Sequence, residues 1–165
     1  MRQCLMLMSL LASAALATAQ QASVHVTPPH LDGPRVLQQQ TAAAVIKDYV
    51  EAWQTLNNAF DQNRVDLLDR DFAGDAKEKI AATVKQQAKD GLRTSYKDAS
   101  HNVQIVFYSP EGLSVQLTDD VEYDVQLQDH EKVIGNQHIR AHYVVVLTPS
   151  ETRWRVREFE AVPSR

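Results

Sequence analysis

The chain has 165 residues, with 17 lysines and arginines against 21 aspartates and glutamates, and a formal net charge of −4. This acidic balance provides no electrostatic basis for binding nucleic acid or an anionic membrane surface. A single cysteine cannot form an intramolecular disulfide, so the fold must be stabilised by packing.

The first residues are typical of an export signal. Arg2 supplies a positive charge, Leu5–Leu16 is an apolar run, and Ala17-Thr18-Ala19 has the small-x-small pattern of a cleavage site. The run is shorter than the roughly 20 residues that cross a bilayer, so we expect no stable membrane insertion. The sequence predicts a signal peptide over residues 1–19 and a periplasmic or secreted mature protein, from which Cys4 has been removed.

Residues 20–35 are predicted to be a spacer. Pro28, Pro29 and Pro34 block helix continuation, and Gly33 adds backbone freedom. Two interpretations are open for this segment: it is disordered, or it is laid across the domain. One domain is expected over residues 36–163.

The first half of that domain is predicted to be helical. Residues 35–62 contain neither glycine nor proline, and large residues recur there at helical spacing: Val45, Tyr49, Trp53, Leu56 and Phe60. A short helical segment is expected from Val65 to Phe72. Asp75 can cap a further helix, with Ile80 and Val84 facing inward, which Gly91 ends.

The second half has a period of two, which predicts strands with one buried and one solvated face. Val103, Ile105 and Phe107 form one inward row, residues 109–112 a turn, and Leu113 to Leu127 a long alternating strand. Strands over residues 133–147 and 152–162 complete a meander of about four antiparallel strands. The fold class is therefore α+β.

This element order, the aromatic stripe Tyr49/Trp53/Phe60 and the long meander strands resemble the NTF2-like (SnoaL-like) superfamily. The resemblance implies N-terminal helices packed on the concave face of a curved antiparallel sheet, forming a cone. Members include isomerases, dehydratases and cyclases as well as non-catalytic binding and dimerisation modules. It also implies a homodimer contact on the open sheet face, for which Val144 and Val146 are candidates.

Asp119 is the charged residue in an otherwise apolar inward row. With a hairpin turn near residue 130, Asp119 is expected opposite Ala141, and Gln137 opposite Tyr123. If strand parity carries Glu158 inward, Asp119 and Glu158 form an acid/base pair, with Tyr123 as a further catalytic candidate. The alternative is a β-bulge near Arg157 that turns Phe159 inward and Glu158 and Glu160 outward. In that interpretation Asp119-Asp120 is a bulge or kink in the long strand, with Asp119 bonded to backbone.

Five residues are candidates to line a small-molecule pocket, because aromatic rings with polar tips suit such cavities. They are Tyr49, Trp53, Phe60, Gln137 and Tyr143. The alternative interpretation is that the aromatic residues fill a core.

The histidines do not predict a metal site. His138 and His142 share one face of a strand but lie about 13 Å apart at ~3.3 Å per residue, too far for one ion. Cross-strand pairs of His138 with Glu122 and of Arg140 with Asp120 are expected instead. The other histidines, including His101, fall in predicted turns or the spacer. No cofactor or metal is predicted, since phosphate loops, nucleophile elbows and HExxH motifs are absent from the sequence.

Three functions remain open at this point. The first is a non-catalytic exported domain that binds a small apolar molecule or a protein partner, including a second copy of itself. The second is an acid/base enzyme of the isomerase or dehydratase type. The third is a structural module whose cone is filled by its own side chains.

Overall fold

The computed structural model describes residues 22–29, 31 and 35–163, without the side chains of residues 98 and 99. The predicted export signal lies outside the described residues. The elements in chain order are β1 (Ser23–Thr27), α1 (Gln39–Gln62), a 3₁₀ turn (Val65–Asp69), α2 (Gly74–Lys89), β2 (Leu92–Tyr108), β3 (Val115–Asp129), β4 (Lys132–Pro149) and β5 (Trp154–Val162). Within this described part, no helix is long and apolar enough to cross a membrane.

The strands form one curved sheet in the order β1-β2-β3-β4-β5. The predicted α+β class is confirmed, and β2 to β5 form the expected antiparallel meander. The sheet differs from the prediction in being mixed, because β1 adds a fifth strand parallel to β2. Residues 23–27 therefore agree with the interpretation in which the spacer is laid across the domain.

Helix α1 packs its large residues against the sheet. Val45, Tyr49, Trp53, Leu56 and Phe60 are all buried, as their spacing predicts. The helix ends at Asn63, whose left-handed backbone lets its N–H bond the carbonyl oxygens of Ala59 and Phe60. Both α1 and α2 contact β2 and β5, so the two helices cover the same face of the sheet.

The turn between β2 and β3 holds the segment that precedes α1. The Arg35 guanidinium donates to the Pro110 carbonyl oxygen at 2.9 Å and lies 5.2 Å from the centre of the Tyr108 ring. A Cβ on Gly112 would lie only 2.9 Å from this guanidinium, and Gly112 has a φ of +76°. The positive φ favours glycine here, whereas the Arg35 guanidinium, the end of a flexible side chain, would only have to shift.

Two bulges reverse the direction of side chains along the strands. In β2 the register shifts between Ile105 and Phe107, so Phe107 points to the outer face and is 47% exposed. The expectation that Phe107 faces the core is therefore wrong. Leu113, also expected in the core, is 62% exposed because β3 begins only at Val115.

The bulge in β5 decides between the two interpretations of Glu158. Leu147 pairs with Val156 and Val146 with Glu158, so Arg157 is the extra residue. Phe159 consequently shares the inner face with Val145, and its ring contacts those of Trp53, Phe72 and Tyr143. Glu158 lies on the outer face, so it does not pair with Asp119.

We expect Phe159→Ala to lower the free energy of unfolding by about 2–3 kcal/mol, because it removes a ring packed between three others. The matched change one residue earlier, Glu158→Ala, should stay within about 0.5 kcal/mol. Urea unfolding followed by circular dichroism measures both. Equal losses for the two variants would contradict the bulge at Arg157.

Candidate functional site

A buried polar group stands at the centre of the inner face. Asp119, on β3, has no exposed surface. Its carboxyl oxygens accept the Tyr49 hydroxyl at 2.8 Å and the Asn102 backbone N–H at 3.1 Å. The ring nitrogen Nδ1 of His101 lies 2.7 Å from Oδ2 of the same carboxyl group. One carboxyl group therefore joins α1, β2 and β3.

His101 belongs to this cluster, although the sequence predicts a turn at its position. Strand β2 begins at Leu92, eleven residues before Val103, and its alternation includes His101, which is 2% exposed. The period of two through His101, Val103 and Ile105 was a signal that could have found it. A buried histidine interrupts an apolar pattern without interrupting the strand.

The alternative of a bulge or kink at Asp119-Asp120 is wrong, because pairing with β2 and β4 is continuous there, but the backbone bond that it included is present from the Asn102 N–H. Asp119 lies opposite Tyr143 rather than Ala141, and Tyr123 opposite Ile139 rather than Gln137. The register differs from the predicted one by two residues. One comes from the tight turn with His130 at φ +55°, which pairs Asp129 with Lys132, and the other from the bulge that leaves Ile134 unpaired. A shift by two preserves which face each residue is on.

Aromatic rings fill the space around the cluster. Trp53 is 2% exposed, and its ring centre lies 5.2–5.6 Å from those of His101, Tyr123, Tyr143 and Phe159. At these distances the rings are in edge and tilted contact, which leaves no space for another molecule between them. The interior at Trp53 is therefore occupied by the protein's own side chains.

The five predicted pocket residues do not line a common cavity. Tyr49, Trp53 and Phe60 are core residues, and Tyr143 stacks on Phe159 with ring centres 4.6 Å apart. Gln137 is exposed, opposite Val125, where β4 extends beyond the part of the sheet that β5 covers. Gln137 borders an open groove of about 520 Å³ between β2, β3 and β4.

Of the catalytic candidates, the structure brings Asp119 and Tyr123 to the interior and separates Glu158 from them. The Tyr123 hydroxyl lies 3.1 Å from that of Tyr143. Asp119, His101 and Tyr49 together have the groups of an acid/base site, namely a carboxyl, an imidazole and a phenol. All three are closed off from solvent.

The pKa values of three tyrosines are raised. Burial raises the pKa of Tyr49 well above its ordinary value, and the neighbouring Asp119 carboxyl raises it further. Burial raises the pKa of Tyr96 to about 12. For Tyr143, burial raises the pKa first, and the hydrogen bond with Tyr123 adds to the effect. These phenols remain protonated in the folded protein at pH values where unfolded tyrosines ionise.

The outer face of the sheet carries an ionic ladder and, next to it, an apolar patch. His138 pairs with Asp124 at 2.8 Å, Arg140 with Glu122 at 2.9 Å and His142 with Asp120 at 2.7 Å. The expected ladder thus exists with its partners displaced by the register shift, while His138 also reaches Glu122 at 3.7 Å. Among the residues that the structure describes, no group of three or more potential ligands forms a metal site.

The apolar patch consists of Phe107, Val144 and Val146, which lie on β2 and β4 with Gln116 and Thr118 of β3 between them. Phe107 is 47% exposed and both valines are half-buried. Val144 and Val146 were candidates for an interface from the sequence, whereas Phe107 joins them only because of the β2 bulge.

We expect Asp119→Asn to destabilise the fold by about 2–4 kcal/mol, because a buried amide cannot accept all the hydrogen bonds that the carboxyl group accepts. Asp120→Asn is the matched control, since Asp120 is the next residue and points to solvent. Urea unfolding measures both variants. Equal stability of Asp119→Asn and the wild type would contradict a structural role for this carboxyl group.

Alkaline pH should destabilise the protein through the buried phenols. Because their pKa values in the folded state exceed the unfolded value of about 10, their contribution is complete below that pH and decreases as the pH rises above it. Absorbance of tyrosinate at pH 11 should therefore be smaller for the folded protein than for the urea-unfolded chain, which exposes all five tyrosines. Superimposable titrations would contradict the prediction.

Comparison with known proteins supports the fold. No family model matches the chain, and no curated protein matches it in sequence. Among solved structures, the intermembrane space region of the chloroplast protein ARC6 is 16% identical with a TM-score of 0.62, over 79% of this chain and 100% of that one.

Two bacterial structures are similar over comparable lengths. A proposed scytalone dehydratase of Novosphingobium aromaticivorans has a TM-score of 0.54 at 13% identity, covering 76% of this chain and 89% of that one. The protein Kfla4162 of Kribbella flavida has a TM-score of 0.53 at 11% identity, covering 75% and 93%. At these identities the similarity concerns the fold alone, which is the α+β arrangement of helices on a curved sheet that the resemblance to the NTF2-like (SnoaL-like) superfamily implies.

Proposed function

We propose that this protein is an exported, non-catalytic interaction domain that associates with a second copy through its outer sheet face. The observation that carries the proposal is the closed interior: Trp53 contacts four rings at once, and the Asp119 cluster bonds within itself. Catalysis or ligand binding inside the cone would require open space beside the side chains of Trp53 and Asp119. An interior filled by side chains favours a function at the surface.

The patch of Phe107, Val144 and Val146 is the surface that this function would use. An exposed aromatic residue beside aliphatic ones is typical of the centre of an interface, and charged residues are typical of its rim. Here the rim comprises Asp120, Glu158 and Glu160, of which Asp120 is paired with His142 and Glu160 with Lys79. A second copy presents the same apolar centre, so a two-fold axis through the patch would bury both.

Export is part of the proposal and rests on the N-terminal sequence. The pattern of Arg2, the apolar run and Ala17-Thr18-Ala19 supports signal cleavage near Ala19. The mature chain would then act in the periplasm or outside the cell. The absence of cysteine from that part of the sequence makes its stability independent of the redox state of the compartment.

An acid/base enzyme is the second candidate, because Asp119 and His101 form a buried carboxyl–imidazole pair. Such a pair can take and return a proton in an isomerase or dehydratase reaction. A substrate would reach it only if the rings of Trp53 and Tyr143 moved apart. The fold does not decide between the candidates, since enzymes and non-enzymes share it.

The dimer can be tested by charging its centre. We expect the wild type to sediment as a dimer at micromolar concentrations, and Phe107→Asp or Val144→Asp to raise the dimer dissociation constant at least about tenfold, because a carboxylate would be buried without a partner. Sedimentation equilibrium measures the constant.

Leu113→Asp is the matched control, since Leu113 is an exposed apolar residue outside the patch. It should leave the constant unchanged. A wild type that is monomeric at all concentrations, or a Leu113 variant that dissociates as readily as the Phe107 variant, would contradict the proposed interface.

A further inference from the structure

His101 is the basic residue in contact with the buried carboxyl group of Asp119. Its ring nitrogen Nδ1 lies 2.7 Å from Oδ2 of Asp119, and both side chains are buried. Among the lysines, arginines and histidines that the structure describes, no other lies within ion-pair distance of this carboxyl group. The charge of the interior therefore depends on whether the His101 imidazole holds one proton or two.

The hydrogen bonds at Asp119 are those of an ionised carboxylate. The backbone N–H of Asn102 can only donate, and it donates to Oδ1. Burial, followed by the charge of Asp119, raises the pKa of Tyr49, so the phenol keeps its proton and donates it to Oδ2. A carboxylate accepts several hydrogen bonds and donates none, so the proton between Asp119 and His101 is on Nδ1. Three donors on one carboxyl group stabilise its ionised form.

A carboxylate without exposed surface needs a positive partner. Burying a charge alone is strongly unfavourable, whereas a hydrogen-bonded pair of opposite charges is tolerated. A second proton, on Nε2, would make His101 that partner. The Trp53 ring favours the same state, since its centre lies 5.2 Å from that of the imidazole, within the roughly 6 Å over which an indole ring attracts a cation.

Burial by itself opposes a positive charge on His101, because an imidazolium loses its hydration in the interior. Deprotonation does not remove this cost, since it leaves the Asp119 carboxylate buried without a partner. Removing one member of a buried ion pair is more unfavourable than keeping both. We therefore expect the folded protein to hold this proton more firmly than the unfolded chain does.

The titratable groups that face His101 from the elements packed around it are acids. They are Tyr49 on α1, Asp119 and Tyr123 on β3, and Tyr143 on β4. The residues that β1 and β5 contribute here, Val24 and Phe159, are apolar. Along β2 itself, the nearest carboxyl residue in sequence is Asp98, beyond a register shift. No group in this set is a cation that would repel a protonated His101.

We infer that His101 is buried as an imidazolium paired with Asp119, and that this proton makes the contact between α1, β2 and β3 sensitive to pH. As the pH rises, His101 loses the proton to water, Asp119 becomes a buried charge without a partner, and the contact weakens. The stabilisation is complete below the unfolded value of about 6.5 and decreases as the pH rises through the higher midpoint of the folded state. This inference does not depend on the patch of Phe107, Val144 and Val146.

Nuclear magnetic resonance of the ring nitrogens tests the charge state in the folded wild type. Their chemical shifts distinguish an imidazolium from either neutral tautomer. The titration midpoint of His101 should lie at least about one pH unit above that of the six histidines in the urea-unfolded chain, which corresponds to proton binding at least about tenfold tighter. The spectrum of His101→Gln assigns the signal, and contacts with the Trp53 ring assign it independently if that variant does not fold.

Urea unfolding tests the consequence for stability. Between about pH 6.5 and 8, the unfolding equilibrium constant of the wild type should rise at least about fourfold relative to that of Asp119→Asn, in which the imidazole has lost its charge partner. Asp120→Asn is the matched control, because it removes an exposed carboxylate from the next position of the same strand. It should keep the pH dependence of the wild type.

Two results would overturn the inference. The first is a His101 midpoint at or below about 6.5, or ring-nitrogen shifts of a neutral imidazole at pH 6 in the folded wild type. The second is a wild type whose stability changes with pH in the same way as that of Asp119→Asn. The first result needs only the wild type, so it can be obtained even if both interior variants fail to fold.

Discussion

The burial of the Asp119 carboxyl group constrains the rest of the structure. A carboxyl group without exposed surface is tolerated only when its oxygens have hydrogen-bond partners. Those partners come from the Tyr49 side chain on α1 and from His101 and Asn102 on β2. The position of the helix over the sheet and the pairing of β2 with β3 must therefore be correct together, and the aromatic residues around Trp53 pack on the frame that results.

Bulges determine which surface each residue serves. The irregularity before Phe107 turns an aromatic ring outward to the patch, and the one at Arg157 turns Phe159 inward to complete the contacts of Trp53. One extra residue in a strand thus moves the next side chain to the opposite face, although the alternation of apolar and polar residues in the sequence does not show it. The closed interior and the exposed patch have this common origin, and the proposed surface function depends on both.

The edges of the sheet are covered only in part. β1 pairs with β2 only over residues 100–104, and Phe72 forms a bridge with Val156 of β5. Residues 92–99 of β2 and 132–141 of β4 have no outer strand partner among the described residues. The edge of β4 is open over its first half because β4 extends along β3 for its whole length, whereas β5 is only half as long.

The sequence by itself determined the order of the elements from α1 to β5, the buried face of α1 and the turn at residues 109–112, since periodicity and turn chemistry are local properties. It also determined that charged pairs cross the outer face and that Asp119 points inward. It did not determine the β1 pairing, the register between β3 and β4, or the choice between the two interpretations of Glu158. It also missed His101, because a polar residue interrupts an apolar pattern even when a distant carboxyl group makes its burial favourable. Only the tertiary structure decided these features, because register, bulges and buried polar partners depend on contacts between residues far apart in the chain.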